Sequence, residues 1–311
     1  GSVLALGGRA VHLAIAVERP ASSAVSSAPA MRAAMPPTLA ARYTILERIG
    51  VGGAKEVFRA RDAHGGPDVA IARIPGVDPA AFAAEAELAR RVASPYVPRL
   101  FDAQLCDQGD GYLVMERCEG TSLAQLAAAG PLAIADAGPI LLALARGIAA
   151  IHAAAVLHRD LKLENVMVSD GAGGAGLKIL DFGISAQAAS VTTGLREPVP
   201  LAGTLPYMAR EVVVGHGIDA RSDVFAFGVC AYRLLTGALP RPPRPDERDF
   251  DYLVRLRDTP VDASALPAAL PAEARAALAA AVAHDLADRP FMPAIVDALA
   301  RAWGGLPLRV P

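Results

Sequence analysis

Cysteine, excess charge and long apolar runs are all scarce in this sequence of 311 residues, and each shortage excludes a class of protein. Three scattered cysteines are too few for a disulfide scaffold. A formal net charge of −2 provides no general surface for neutralising phosphates, so we expect no nucleic acid partner. No uninterrupted apolar stretch reaches the roughly 18 residues of a membrane-spanning helix, and no basic region precedes the N-terminal apolar segment. We therefore expect no membrane segment, no secretory signal and a cytoplasmic location.

Lysine is also scarce. Only Lys55, Lys162 and Lys178 occur among the 30 basic residues, and all the others are arginines. A GC-rich genome, which favours Arg, Ala, Gly and Pro codons, explains the bias in general. Each lysine that remains under such a bias needs its own explanation.

Apolar residues are abundant, at 53%, and are sufficient for a sizeable core. Residues 1–40 are rich in Ala, Ser and Pro, which predicts a flexible N-terminal extension. A folded domain is expected over residues 41–303, followed by a tail at 304–311. The extension is the part of the chain for which the sequence indicates no function.

The predicted domain divides into a strand-rich part followed by a helix-rich part. Short strand-like runs separated by Gly-rich turns predict an antiparallel sheet, followed by a helix over 79–92 and two further strands. After Gly120 the pattern is mostly helical, with one apolar stripe at Ile140, Leu144, Ile148 and Ile151. A second stripe lies within 222–236. The fold class is therefore α+β, with a small antiparallel-sheet lobe that contains one main helix and a larger helical lobe.

The chemistry-bearing residues are concentrated in one run and one later triplet. The run His158–Asn165 reads HRDLKLEN, and an Asp-Phe-Gly triplet begins at Asp181. Asn165 and Asp181 have oxygen atoms that can bind a metal ion, and they flank a candidate base, Asp160, and a cation, Lys162. Phosphoryl transfer needs this set: Mg²⁺ on the phosphates, a carboxylate near the incoming hydroxyl, and positive charge on the migrating group. A solvated charged loop would not combine all of these residues in this order.

On these residues the sequence resembles a bacterial eukaryotic-type (Hanks-type) Ser/Thr protein kinase domain. The resemblance covers roughly residues 43 to 303 and includes three further motifs, at 203–211, 219–224 and 288–290. It implies a two-lobed fold with the N-lobe at 41–115, the hinge at 116–120 and the C-lobe at 121–303. It also implies that ATP and Mg²⁺ are used to phosphorylate serine or threonine hydroxyls of protein substrates.

The resemblance assigns roles to the residues that match the family's catalytic motifs. Asp160 orients or deprotonates the substrate hydroxyl, and Lys162 stabilises the γ-phosphoryl group. Asn165 and Asp181 bind Mg²⁺. Glu211 is expected to form an ion pair with the late arginine, Arg289.

The resemblance also concerns regulation. Arg159, directly before Asp160, is similar to the arginine of kinases whose activation segment is ordered by phosphorylation. Ser190, Thr192 and Thr193 are the candidate phosphate acceptors in that segment. The sequence leaves open whether a homodimer forms during activation.

The adenine contacts implied by the resemblance lie in the small lobe and the hinge. Val57 and Ala70 are expected on the adenine-facing side of the sheet, with Met115 as the gatekeeper residue. The backbone of Glu116 and Cys118 is expected to contact the adenine ring itself.

The sequence departs from the family on its third strand. The family has lysine at the position of Ala72, where it binds the α- and β-phosphates. Arg73 cannot replace it, because side chains alternate between the two faces of a strand and Ala72 shares its face with Ala70. A smaller departure is Arg210, which occupies a position where the family has proline.

The Gly-rich loop contains a second departure. Gly50, Gly52 and Gly53 match the first glycines of the family motif, but Lys55 replaces the third. Lys55 lies two residues before Val57 and therefore on the same face, so its side chain is expected to reach the phosphates. This arrangement resembles the with-no-lysine kinases. Glu85 of the predicted helix is the expected partner of Lys55.

Two interpretations of these departures remain open. In the first, Lys55 replaces the missing lysine and the chain is an active kinase. In the second, Lys55 is an exposed cation at a loop tip, Glu85 is an ordinary solvated carboxylate, and the chain is a nucleotide-binding pseudokinase that acts as an allosteric or scaffolding module.

Overall fold

The computed structural model describes residues 31–32, 34–52, 55–171, 174–181 and 205–311. The described chain divides into two compact units. The small unit contains the described residues up to Arg90 together with Arg99–Arg117, and the large unit contains Arg91–Pro98 and the described residues from Cys118 onward. The small unit is built on an antiparallel sheet and the large unit is mainly helical, so the predicted α+β class is confirmed.

In the part of the chain that the structure describes, the small unit is built on a five-stranded antiparallel sheet with helices packed against it. Its sheet order is β1-β2-β3-β5-β4. The elements are α1 (Pro37–Arg42), β1 (Tyr43–Gly52), β2 (Lys55–Asp62), β3 (Val69–Ile74), α2 (Pro79–Arg91), β4 (Leu100–Leu105) and β5 (Gly111–Glu116).

The register of the central strands gives the sheet two distinct faces. Val57 lies opposite Ala72, and Ala72 lies opposite Leu113, so these three share what we call the inner face. The next residues along the same strands point the other way. Phe58, Ile71 and Val114 therefore form the outer face, and all three are fully buried.

The outer face is covered by residues that the sequence assigned to a flexible extension. Met31, Met35 and Leu39 are buried and belong to the same apolar cluster as the outer-face residues. The prediction of a flexible segment through residue 40 is therefore wrong for the described residues from 31 to 40. The physical reason is that an apolar sheet face must be covered, and these three side chains, spaced four residues apart, cover it. Residues 31–42 are called the N-terminal arm below.

Residues 91–98 also differ from expectation, because they belong to the large unit and not to the N-lobe predicted over 41–115. Hydrogen bonds hold them there: the Ile179 N–H donates to the Tyr96 carbonyl at 2.7 Å, and Arg91 Nη2 donates to the Ala154 carbonyl at 2.8 Å. The first of the two strands predicted after the helix accordingly begins only at Leu100.

The large unit combines a three-stranded antiparallel sheet, ordered β6-β7-β8, with a set of helices. The strands are β6 (Thr121–Ser122), β7 (Val166–Gly171) and β8 (Gly174–Ile179). The helices are α3 (Leu123–Ala128), α4 (Ile134–Ala153), α5 (Arg210–Val214), α6 (Ala220–Thr236), α7 (Asp249–Asp258), α8 (Ala272–Ala281) and α9 (Met292–Trp303). A 3₁₀ turn, Leu163–Asn165, precedes β7.

Helix α4 is the central helix of the large unit's core. Its predicted apolar stripe, Ile140, Leu144, Ile148 and Ile151, is fully buried. By length and composition this helix is also apolar enough to cross a membrane, but 67% of the relevant stretch is buried inside the protein. That burial is typical of a core helix.

Candidate active site

Asp160 lies at the centre of a compact polar cluster in the large unit. Its Oδ2 accepts hydrogen bonds from Lys162 Nζ at 2.8 Å and from Asn165 Nδ2 at 3.0 Å. Asn165 Nδ2 also donates to the Asp160 carbonyl at 2.8 Å. Lys162 and Asn165 are both buried. The structure therefore brings together three of the four residues expected in the catalytic loop and triplet, and fixes the orientation of the Asp160 carboxylate.

The fourth residue, Asp181, is linked to this cluster through the backbone. The N–H of Leu180 donates to the Asn165 carbonyl at 2.7 Å, which holds the chain just before Asp181 against the catalytic loop. Asp181 adopts a left-handed backbone conformation, with φ of 61°, and Arg159 does the same with φ of 64°. Such conformations are strained for residues other than glycine and are often found at functional sites.

Asp223 of α6 holds the catalytic loop, residues 158–165, in place through hydrogen bonds to its backbone. The backbone N–H groups of His158 and Arg159 donate to its two carboxylate oxygens at 2.8 and 2.9 Å, and His152 Nε2 lies 2.8 Å from Oδ2. Burial alone would raise the pKa of Asp223, but the hydrogen bonds from His152 and from the backbone N–H of His158 outweigh it and hold the pKa below its usual value. Asp223 therefore stays ionised and fixes the loop backbone next to Asp160.

His158 completes this anchor as a neutral imidazole. Its Nε2 lies 3.0 Å from the Leu180 carbonyl, which fixes a proton on Nε2, and its Nδ1 accepts the Asp160 N–H at 3.3 Å. Full burial lowers the pKa of His158, which favours the neutral form that both contacts require. His158 thus connects the backbone on either side of the candidate catalytic residues.

The expected ion pair between Glu211 and Arg289 is present and buried. Its two hydrogen bonds measure 2.6 and 2.7 Å, and Ser222 Oγ donates to Glu211 Oε1 at 2.7 Å. Arg289 also donates to the carbonyl oxygens of Ala283, Arg221 and His284. Burial would raise the pKa of Glu211, but the hydrogen bonds from Arg289 and Ser222 lower it below its ordinary value.

Arg210 leaves this geometry intact. It is the first residue of α5, where proline would also be tolerated because the first helical N–H has no intrahelical partner. Its guanidinium pairs with Asp285 at 3.0 Å on the surface. At this position the family has a conformationally rigid proline, whereas this chain has an arginine that forms an exposed ion pair.

The small unit presents the expected adenine-facing residues on the inner face of its sheet. Ala70 lies directly opposite Met115, and Val57 lies opposite Ala72. All four side chains are buried, and Ala72 is completely so. Lys55 precedes Val57 by two residues on β2 and shares its face, and it is only 3% exposed.

Arg73 points away from this inner face, as the alternation of side chains predicts. It lies opposite Glu56 in the sheet and bonds to Glu56 Oε2 at 3.2 Å. It also donates to Asp110 Oδ2 at 2.9 Å. Arg73 is therefore committed to two carboxylates on the outer side of the sheet and does not replace the family lysine.

Helix α2 is docked on the inner face at the end of the sheet where β2 begins. A Cβ atom at Gly111 would lie 2.5 Å from the ring of Phe82, so the bare glycine backbone is what lets the ring approach. Gly111 shares the inner face with Leu113 and lies opposite Ile74 on β3, while Lys55 lies at the corresponding end of β2. Glu85 is one helical turn beyond Phe82, and its Oε1 is buried.

Several predicted residues lie outside the described part of the chain. They are Gly53 of the Gly-rich loop and the candidate phosphate acceptors Ser190, Thr192 and Thr193. Gly50 and Gly52 are described and form the end of β1. Glu116 ends β5, where its N–H donates to the Arg99 carbonyl at 2.8 Å, and Cys118 is buried.

Sequence reasoning assigned no role in the site to His152, Ser222 and Asp223, although the last two lie in the family motif at 219–224. The sequence contains an indication that Ser222 and Asp223 are important. Ser222 and Asp223 are adjacent polar residues at the start of a helix that is otherwise strongly apolar, and a buried polar residue requires a partner. The identity of those partners depends on residues distant in sequence.

Comparison with known proteins gives consistent matches. The family model for the protein kinase domain matches residues 43–298 of the sequence. The serine/threonine-protein kinase pkn2 of Myxococcus xanthus is 38% identical over 208 residues, which cover 64% of this chain and 25% of that protein. The probable serine/threonine-protein kinase PknB of Corynebacterium glutamicum is 33% identical over 223 residues, covering 68% and 33% of the two chains.

A third relative is matched over a longer stretch. The serine/threonine-protein kinase PknB of Mycobacterium tuberculosis is 29% identical over 288 residues, which cover 89% of this chain and 45% of that protein. The chain thus spans between a quarter and just under half of the length of these bacterial relatives. Since the domain match includes most of both units, the chain belongs to the protein kinase family.

Proposed function

We propose that this chain is an ATP- and Mg²⁺-dependent protein Ser/Thr kinase in which Lys55 takes the phosphate-binding role of the lysine missing at position 72. The bonded cluster of Asp160, Lys162 and Asn165 supports the transferase activity. Asp160 would accept the proton of the substrate hydroxyl, with its carboxylate held in orientation by the other two residues. Lys162 would keep positive charge beside the transferred phosphoryl group.

The chemistry of the donor atoms fits Mg²⁺. Asn165 uses its amide nitrogen on Asp160, while its Oδ1 is buried and has no hydrogen-bond partner in the part of the chain that the structure describes. An amide oxygen and a carboxylate are ligands that Mg²⁺ accepts together with phosphate oxygens. Asn165 and Asp181 would therefore hold the ion, which when bound supplies positive charge to the phosphates.

The burial of Lys55 carries the assignment of the phosphate-binding lysine. An exposed cation at a loop tip would be mostly solvated, whereas Lys55 is 3% exposed. A buried ammonium group is stable only with anions or strong acceptors around it, because desolvation of an unpaired charge is expensive. The phosphates of ATP and the carboxylate of Glu85 are the anions that we assign to it.

The surrounding residues support the same assignment. Ala72 leaves the inner face without a cation on β3, and Arg73 is engaged with Glu56 and Asp110 on the other side. Docking of Phe82 on Gly111 brings α2, and with it Glu85, to the inner face at the end of the sheet that carries Lys55. A Lys55–Glu85 pair would thus couple the position of α2 to the binding of phosphate.

The test is transfer of the γ-phosphoryl group of labelled ATP to protein. We expect Asp160→Asn to reduce the rate by about 10²- to 10⁴-fold, the usual contribution of a positioned base. Truncating one partner of a buried charge pair costs about 2–5 kcal/mol, so Lys55→Met should lower kcat/KM for ATP by roughly 30-fold or more. Lys178→Met, the matched lysine control, should leave the rate unchanged.

A double variant tests the change of position directly. Lys55→Gly combined with Ala72→Lys restores the usual layout of the family, and recovery of the activity lost in Lys55→Met would support the proposal. Full activity in Lys55→Met would refute it. If the wild type binds ATP with Mg²⁺ but no condition yields labelled protein, the chain is instead a nucleotide-binding pseudokinase.

A further inference from the structure

The N-terminal arm, residues 31–42, forms a structural layer outside the region that matches the kinase domain, which begins at residue 43. Met31, Met35 and Leu39 are 2%, 6% and 1% exposed. They belong to one cluster with apolar residues of the sheet, namely Tyr43, Ile45, Phe58, Ala60, Val69, Ile71, Tyr112 and Val114. The arm is therefore part of the core of the small unit.

Polar contacts fix the arm to three different strands. The Tyr112 hydroxyl of β5 donates to the Ala34 carbonyl at 2.8 Å, and Thr38 Oγ1 lies 2.5 Å from Oε1 of Gln104 on β4. Arg42 makes a two-pronged ion pair with Asp62 at the end of β2, with distances of 2.7 and 3.0 Å. These contacts give the arm a single position across the sheet, which apolar packing alone would not specify.

The strands that the arm covers are the strands that carry the candidate nucleotide-binding residues. On β3, outer-face Ile71 lies between inner-face Ala70 and Ala72. On β2, outer-face Phe58 follows inner-face Val57, and Lys55 lies two residues earlier on that inner face. Because adjacent residues point to opposite faces of a rigid backbone, a layer that fixes the outer face also fixes the inner face.

We infer that the N-terminal arm is a positioning element for nucleotide binding, which holds β2, β3 and β5 in the geometry that the inner face needs. The inference rests on the proposed function for the identity of the nucleotide, ATP. The arm acts on the small unit, whereas Asp160, Lys162 and Asn165 are fixed by their own hydrogen bonds in the large unit. Disturbing the arm should therefore weaken ATP binding and leave the chemical step unchanged.

The experiment compares two substitutions on α1 in the full chain. Leu39→Asp places a charge in the cluster, whereas Ala41→Asp places the same charge on an exposed position of the same helix. We expect Leu39→Asp to raise KM for ATP by about tenfold or more with kcat nearly unchanged, the pattern of lost ground-state binding. Ala41→Asp and the conservative Leu39→Met should behave as wild type. A merely structural role would lower kcat through loss of folded protein and leave KM unchanged.

A milder variant covers the case in which Leu39→Asp does not fold. Tyr112→Phe removes the hydroxyl, which donates to Ala34 and also interacts with Arg73. Net loss of one hydrogen bond should raise KM for ATP by roughly two- to tenfold, again with kcat unchanged. An unchanged KM in Tyr112→Phe and in a folded Leu39→Asp protein would overturn the inference.

Calorimetric titration with ATP and Mg²⁺ separates this inference from the proposed function. If the wild type transfers no phosphate but binds ATP, the kinase proposal fails, and a weaker Kd in Leu39→Asp than in Ala41→Asp still supports the role of the arm. If transfer occurs and the two variants share the wild-type Kd, the kinase proposal stands and the role of the arm is refuted. Absence of ATP binding by the wild type would overturn both.

Discussion

The two units hold their functional residues by different means. In the large unit, polar side chains fix one another: Asp160 is bonded to Lys162 and Asn165, and Glu211 is bonded to Arg289. In the small unit, the candidate ligand contacts lie on an apolar sheet face whose shape comes from strand register and from packing on its outer side.

This difference explains where the sequence departs from its family and where it does not. Replacing a member of the large unit's clusters leaves buried polar partners without hydrogen bonds, which is expensive. On the sheet, a long cationic side chain can reach the inner face from any strand position that points inward. On the proposed function, a cation lost from β3 at Ala72 is gained on β2 at Lys55 at little cost to packing.

The largest expected effect falls on the buried ion pair of the large unit. Arg289→Ala should lower the free energy of unfolding by about 3–5 kcal/mol, because Glu211 would be left buried without its cation. Urea denaturation monitored by fluorescence measures the change. The control is Arg301→Ala, which removes an exposed pair with Glu273 and should change the free energy of unfolding far less, because solvent and salt screen that pair. Equal effects of the two substitutions would contradict the importance that we assign to the burial of the Glu211–Arg289 pair.

Acid should destabilise the large unit first. The pKa of His158 is lowered by burial, so the unfolded chain binds a proton near its ordinary value of 6.5 that the folded chain excludes. The pKa values of Glu211 and Asp223 are also lowered, so their stabilisation is complete above their ordinary range and is lost as pH falls through the folded values. Stability should thus decline below about pH 6.5 and more steeply below about pH 4.

The small unit provides the comparison for this acid effect. Its Asp62 has a pKa lowered to about 2 by the hydrogen bond from Arg42, but the pair is at the surface, where solvent and salt screen it. Amide hydrogen exchange between pH 7 and 5 should therefore show faster opening in α6 than in β3 and β5. Uniform loss of protection in both units would show that they do not differ in this way.

A packing substitution should affect the small unit selectively. Gly111→Ala would place a methyl group 2.5 Å from the Phe82 ring and force α2 away from the sheet. Such overpacking costs about 1–3 kcal/mol, and we expect it to accelerate hydrogen exchange in α2. Gly176→Ala, whose methyl group would meet Ser169 only at 3.8 Å, is the control and should be nearly silent. Undisturbed α2 exchange in Gly111→Ala would contradict the docking of Phe82.

The smallest expected effect concerns Arg210. Arg210→Pro restores the family residue at the first position of α5 and removes only an exposed pair with Asp285. The free energy of unfolding should change by less than about 0.5 kcal/mol. A thermal melt that shifts by many degrees would show that the Arg210 side chain contributes more than its surface contact suggests.

Local patterns in the sequence predicted the features that depend on local rules. The two-residue period of a strand was sufficient to place Ala72 on the inner face and Arg73 on the outer face. Local patterns could not predict tertiary partners. Asp223 contacts the catalytic loop across some 65 positions of sequence, and no periodicity encodes that contact. The N-terminal arm was missed although Met31, Met35 and Leu39 have helical spacing, because the surrounding Ala and Pro residues suggested a linker.

The side chain of Asn165 uses both ends of its amide, the nitrogen toward Asp160 and the oxygen toward the proposed ion. Deamidation would keep its size and shape but replace the donor with a second acceptor. Two carboxylates would then face each other where one N–H now joins the groups, and one of them would have to take up a proton. Hydrolysis of this one amide would therefore remove the link to Asp160 and weaken both the polar cluster and the proposed ion site.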